Sequence, residues 1–228
     1  MFSSLKKTVC FFSSDYFGAL VKGKDGVESQ MELILVRHGE TTWNQQERVQ
    51  GISDIGLSEK GRNQAWKLAE VLKERPLSAI YSSPLSRAYE TAKIVNTYHG
   101  LAIEVREGLK EMNQGVFEGL SFRELMEREG SFLSQWIKDP AQVTMPGGES
   151  LRDVQRRAWP VIEEILGKGE NSLLVSHNFT LSTILCRIMG LHLSRFRRVS
   201  MEPASLTVVR FVDGKGEVEI LNDCRHLI

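Results

Sequence analysis

Two uninterrupted apolar runs, Leu33–Val36 and Leu173–Val175, lead almost directly into histidines: His38 follows Arg37, and His177 follows Ser176. A strand with no polar side is buried on both faces, as in a parallel sheet covered by helices. The segments between the two runs agree with that. Residues 58–76 carry apolar side chains at 65, 68, 69 and 72, the pattern of an amphipathic helix that Ser58 can cap and Pro76 can close. "SAIYSSPLSRAYETAKIVNTYHG" then reads as a short strand and a helix, with Pro84 suited to the first helical position and Gly100 to the stop.

Strand, helix, strand, helix at this spacing implies right-handed crossovers in a parallel sheet. Capping boxes "SFRE" at Ser121 and "SLRD" at Ser150 start two further helices, the second kinked at Pro160. "SLTVVRFVDGKGEVEILND" forms a hairpin about Asp213 and Gly214 on the sheet edge. The expected fold is a three-layer α/β/α sandwich in one domain over residues 31–228. Its central sheet is mainly parallel, with helices on both faces and a helical insertion between Ser121 and Leu166.

Residues 1–30 faintly resemble a signal peptide, but Ser13, Ser14 and Asp15 interrupt the apolar stretch and no A-x-A-like site follows. They read as a disordered leader or an over-called start codon. With 29 basic and 29 acidic residues the formal net charge is zero, so neither nucleic acid nor a membrane surface is expected as a partner. Cys10, Cys186 and Cys224 show no C-x-x-C spacing, which argues against a disulfide framework or zinc site and for a reducing, cytoplasmic location.

In a parallel sheet His38 and His177 reach the same edge, where ligands bind, and Arg87 follows the "SSPLSR" turn at that edge. Arg37, Arg87 and two imidazoles around one point call for an anion, and a phosphoryl group suits guanidinium forks. No Walker-type glycine loop is present. His38 is the better nucleophile, because Gly39 leaves room for close approach; His177 then acts as a donor to the phosphoryl oxygens. Glu111, between Leu109 and Met112, is the preferred proton donor and Glu118 the alternative. Asn44 and the backbone near Gly51 offer neutral donors. His99, His192 and His226 read as structural, and Glu149 as a helix-start carboxylate.

"LILVRHGETTWN", "RVQGISDIGLSEKGRNQA", "IYSSPLSRAYETA", "EMNQGVFEG", "PGGESL" and "LLVSHN", in this order, resemble the histidine phosphatase superfamily, the phosphoglycerate mutase-like branch. The resemblance runs from Met31 to the C-terminus. It implies His38 as the phosphorylated nucleophile, Arg37, Arg87 and His177 as the phosphate pocket, Glu111 as proton donor, and Thr41, Asn44, Gln50, Gly51 and Asn113 in the substrate site. It also implies no metal and no cofactor. Residues 121–150 carry only the separated Arg123 and Arg128 where glycolytic mutases have an adjacent arginine pair, and the pair Arg156 and Arg157 comes later, on a helix, so the expected activity is a metal-independent phosphomonoesterase acting on a small phosphorylated metabolite through a phosphohistidine. A cofactor-dependent mutase is the alternative, and a catalytically silent binding module the second. "FLSQWIKDPAQVTMPGGESL" and "ILNDCRHL" look most like phosphoserine and α-ribazole phosphatases, although Gln114 stands where some phosphoserine enzymes carry histidine. Among protein partners only a homodimer is considered.

Overall fold

The computed structural model describes residues 30–228, and the expectations placed on residues 1–29, Cys10 among them, lie outside the described residues. In chain order the elements are β1 (Gln30–Arg37), α1 (Thr42–Gln45), α2 (Glu59–Leu72), β2 (Ala79–Ser82), α3 (Ser86–Val95) and β3 (Ile103–Val105). There follow α4 (Phe122–Arg128), α5 (Gly130–Lys138), α6 (Leu151–Lys168), β4 (Ser172–Ser176), α7 (Asn178–Ile188), β5 (Leu206–Val212) and β6 (Lys215–Asp223).

One six-stranded sheet runs in the order β3-β2-β4-β1-β5-β6. Its first four strands are mutually parallel, and β5 and β6 join antiparallel beyond β1. The hairpin reverses at Asp213 and Gly214, both with positive φ, as its turn signal required. Alternation along each strand feeds two cores. Ile34, Val36, Ile80 and Leu173 pack with α2 and α3. Leu33, Leu35, Tyr81 and Leu174 pack with α6 and α7. Both faces are therefore covered, and the α/β fold with a mostly parallel sheet is the one expected.

Local chemistry sets the boundaries. Ser58 accepts from the Gly61 N–H at the start of α2, and Ser121 and Ser150 close reciprocal capping boxes with Glu124 and Asp153. Pro160 lies inside the continuous α6, which ends at Gly169 with φ +66°. Two expectations shift. Pro84 lies two residues before the first residue of α3, because Leu85 is extended (φ −66°, ψ 133°) and acts as its N-cap. The single helix expected at Ser121 is two, broken at Glu129 (φ −127°).

The parallel register puts Arg37, Ser82 and Ser176 at the carboxyl ends of adjacent strands. The histidines and the Ser83–Arg87 turn thus leave the sheet on one side.

Candidate active site

His38 and His177 are buried with ring centroids 5.0 Å apart. His38 Nδ1 lies 2.7 Å from the Gly39 carbonyl oxygen. A carbonyl only accepts, so Nδ1 carries the hydrogen and Nε2 the ring's lone pair. Burial, then the charges of Arg87 and Arg37, hold the imidazole pKa well below its ordinary range. His38 is therefore neutral near pH 7. His177 is held down in the same way, by burial first and then Arg87. Its Nε2 is 2.8 Å from Ser83 Oγ, which itself accepts from the Leu85 N–H, while its buried Nδ1 has no protein partner.

Two guanidiniums converge here. Arg87 is fully buried and donates to the carbonyls of Ser53 (2.8 Å) and Gly51 (2.7 Å). Burial brings its pKa down to about 10, against the opposing pull of Glu111. Arg37 donates through Nη1 to the Met201 carbonyl at 2.6 Å. The Nε atoms of both arginines are buried and unpartnered, like His177 Nδ1. Buried donors of this kind are uncommon and costly to leave unpaired.

Glu111 is buried, and its carboxyl accepts from the N–H groups of Met112 (2.9 Å), Phe179 and Thr180 (both 3.3 Å), the latter two in the first turn of α7. Burial raises its pKa, against the lowering by those donors and by Arg87 and Arg37. The five charged or imidazole groups expected at one site are thus brought together.

The other expected residues divide. Thr41 is fully buried and caps α1; its hydroxyl lies 2.6 Å from Gln50 Oε1 and 3.0 Å from Asn44 Oδ1, so these three form one network. Gly51 meets Arg87 through its carbonyl, and a Cβ there would come within 2.8 Å of Gln114 N. Asn113 is turned into its own loop, its Oδ1 accepting from the Gly115 N–H at 2.8 Å. Glu118 spends its carboxylate on the N–H groups of Ile52 and Ser53, both at 2.8 Å, and on the Ser53 hydroxyl. It holds a loop. Gly39 makes room for a helix: a Cβ there would fall 3.0 Å from the Gly61 carbonyl carbon of α2. His226 donates to the Ala204 carbonyl at 2.9 Å, and His192 pairs with Ser194.

Sequence reasoning gave no role in the site to Ser83, the Met201 carbonyl or Arg157. Arg157 forms a bidentate pair with Glu149 (2.8 and 3.0 Å), so Glu149 does more than begin a helix. An open cavity of about 640 Å³ lined by Thr42, Gln45, Ser58 and Lys60, among others, borders neither histidine.

The family model described as "Histidine phosphatase superfamily (branch 1)" matches residues 33–224. The chain belongs to this superfamily. It is 34% identical over 199 residues to phosphoserine phosphatase 1 of Hydrogenobacter thermophilus, covering 86% of this chain and 94% of that one. It is 33% identical over 204 residues to "Probable phosphoglycerate mutase GpmB" of Escherichia coli, covering 86% and 95%. A mycobacterial glucosyl-3-phosphoglycerate phosphatase superposes with TM-score 0.77 at 29% identity over 86% of this chain and 100% of that one. This histidine phosphatase is accordingly an enzyme, a phosphatase by class.

Proposed function

We propose that this histidine phosphatase hydrolyses a small phosphorylated metabolite without a metal, through a phosphoryl group carried on His38. The observation that carries the reading is that His38, neutral and with its lone pair on Nε2, lies beside His177 and near enough to Arg87 and Arg37 for both charges to act on it, while Arg37 Nε, Arg87 Nε and His177 Nδ1 are buried without a partner. Those donors match the oxygens of a phosphoryl group, and they stabilise charge most in a buried site.

In the first step the His38 Nε2 lone pair forms the N–P bond, the ester P–O bond breaks, and Glu111 gives its proton to the departing alkoxide. In the second, the Glu111 carboxylate takes a proton from water. The resulting hydroxide forms a P–O bond as the N–P bond breaks, releasing phosphate and restoring both residues. Arg37, Arg87 and His177 hold the phosphoryl oxygens throughout, a role that requires the His177 hydrogen on Nδ1, with the Ser83 hydroxyl 2.8 Å from Nε2 as its donor. These cationic and donor groups supply the stabilisation a metal would bring. Among the described residues no group of three or more His, Cys, Asp and Glu side chains could hold one.

The same reading assigns Asn44, Gln50, Gly51 and Asn113 to substrate binding, with Thr41 holding Asn44 and Gln50 in one hydrogen-bonded network. The phosphatase reading is favoured over the mutase because three arginines of residues 121–166 are already engaged. Arg123 pairs with Glu127, Arg156 with Asp153 and Arg157 with Glu149. The similarity to a mutase-named relative keeps interconversion as the second reading. The proposed cytoplasmic location rests on the cysteines, which show no C-x-x-C spacing and of which Cys186 and Cys224 are free thiols. Among the described residues no helix is long and apolar enough to cross a membrane.

The test is phosphate release in EDTA from phosphoserine, α-ribazole phosphate, glucosyl-3-phosphoglycerate and 3-phosphoglycerate, with 2,3-bisphosphoglycerate added in parallel. Efficient release from one ester supports the reading. Interconversion of phosphoglycerates with little release means a mutase, and no turnover of any of them revives the binding module.

A further inference from the structure

All five N–H groups of the Arg157 guanidinium are engaged, and every partner bears on the loop that carries Glu111. Nη1 donates to the carbonyls of Gly108 (2.7 Å) and Lys110 (2.8 Å), and Nη2 to that of Glu111 (2.9 Å). Nε and Nη2 together grip the Glu149 carboxylate. Glu149 in turn accepts the Asn113 N–H at 2.9 Å through Oε2 and donates its own N–H to the Asn113 carbonyl at 2.9 Å. From the opposite side Ser176 Oγ donates to the Leu109 carbonyl (2.7 Å) and Thr180 Oγ1 to that of Lys110 (2.6 Å). The segment is held between α6 and the β4–α7 junction, whose own His177 sits in the pocket.

We propose that Arg157, locked by Glu149, is a positioning residue: it fixes the backbone from which Glu111 reaches the ester oxygen, and it touches no substrate. The proposal rests on Glu111 being the proton donor. A general acid works only within hydrogen-bond reach of the oxygen it protonates, and a displacement of about 1 Å can cost on the order of 10²-fold. A planar fork gripping three carbonyls and a carboxylate is well suited to hold such a position. Lysine has three donors at a single point and cannot reproduce it.

The test compares kcat and KM on p-nitrophenyl phosphate, whose leaving group needs little protonation, and on β-glycerophosphate, whose alkoxide needs it. Arg157→Ala is expected to lower kcat on β-glycerophosphate on the order of 10²-fold, with a much smaller loss on the aryl ester and KM little changed. Arg157→Lys recovers only part of it. The double variant Arg157→Ala/Glu111→Gln is expected to be no slower than Glu111→Gln, because the arginine acts through the carboxyl. Equal losses on both esters, or losses that multiply in the double variant, overturn the proposal. If Arg157→Ala fails to fold, Glu149→Gln, which keeps the shape and removes the charge, decides it: a selective loss on β-glycerophosphate supports the proposal and none overturns it. Should Glu111→Gln itself lose equally on both esters, the proton-donor reading fails instead.

Discussion

Replacing Arg87 with methionine removes a cation from the centre of the pocket while keeping the side chain's length. The fully buried guanidinium is pulled down to about 10 from the ordinary arginine range, which corresponds to about 3 kcal/mol against the charged form in the folded chain. Methionine relieves that cost. It also deprives the Gly51 and Ser53 carbonyls of their charged donor, at about 1.5–3 kcal/mol each. The two effects largely offset, and the variant is expected to unfold within about 3 kcal/mol of wild type. Catalysis has no such compensation, because loss of one donor to developing charge costs about 10²–10³-fold in kcat. Anion binding gives the sharper assay. Inorganic phosphate at 100 times its Kd should stabilise wild type by about 2.7 kcal/mol in a thermal melt, and Arg87→Met should lose most of that rise. A variant that keeps both the phosphate-induced rise and the wild-type rate would refute the placement of Arg87 on the phosphoryl group.

Three further outcomes are expected. Since burial, Arg87 and Arg37 hold His38 well below its ordinary range, kcat/KM for p-nitrophenyl phosphate, corrected for substrate ionisation, should stay on its plateau below pH 6.5. An acid limb near 6.5 would contradict this. Stability moves the other way: below about 6.5 the unfolded chain binds protons that folded His38 and His177 refuse, so Tm should fall from pH 7 toward 5. Gly39→Ala drives a Cβ into the Gly61 backbone and should cost about 2 kcal/mol, read as a Tm lower by about 4–8 °C; an unchanged Tm would show that α2 can shift freely.

The sheet was legible because strands buried on both faces leave continuous apolar runs, and Ser58, Ser121 and Ser150 were legible as caps because their partners lie three residues away. Residues at parallel strand ends could be placed on one edge without knowing any distance. The break at Glu129 and the extended Leu85 left no local mark. Gly39 showed only that room was needed, and the Gly61 backbone that needs it comes from another element. Arg157 was illegible for the same reason: the carbonyls it holds lie 46 to 49 residues away, and a carbonyl has no sequence signature. Glu118 looked like a second acid because charge and loop position do not reveal that three backbone N–H groups occupy it.

The central claim is that phosphoryl transfer passes through His38. Rapid acid-free quenching of enzyme turning over p-nitrophenyl phosphate, followed by proteolysis and mass mapping, should find one phosphoryl group on the His38 peptide, stable to alkali and lost in acid. His38→Ala, folded by circular dichroism, should carry none and release no phosphate. Phosphoryl label on another residue, or a wild-type rate in His38→Ala, would contradict it.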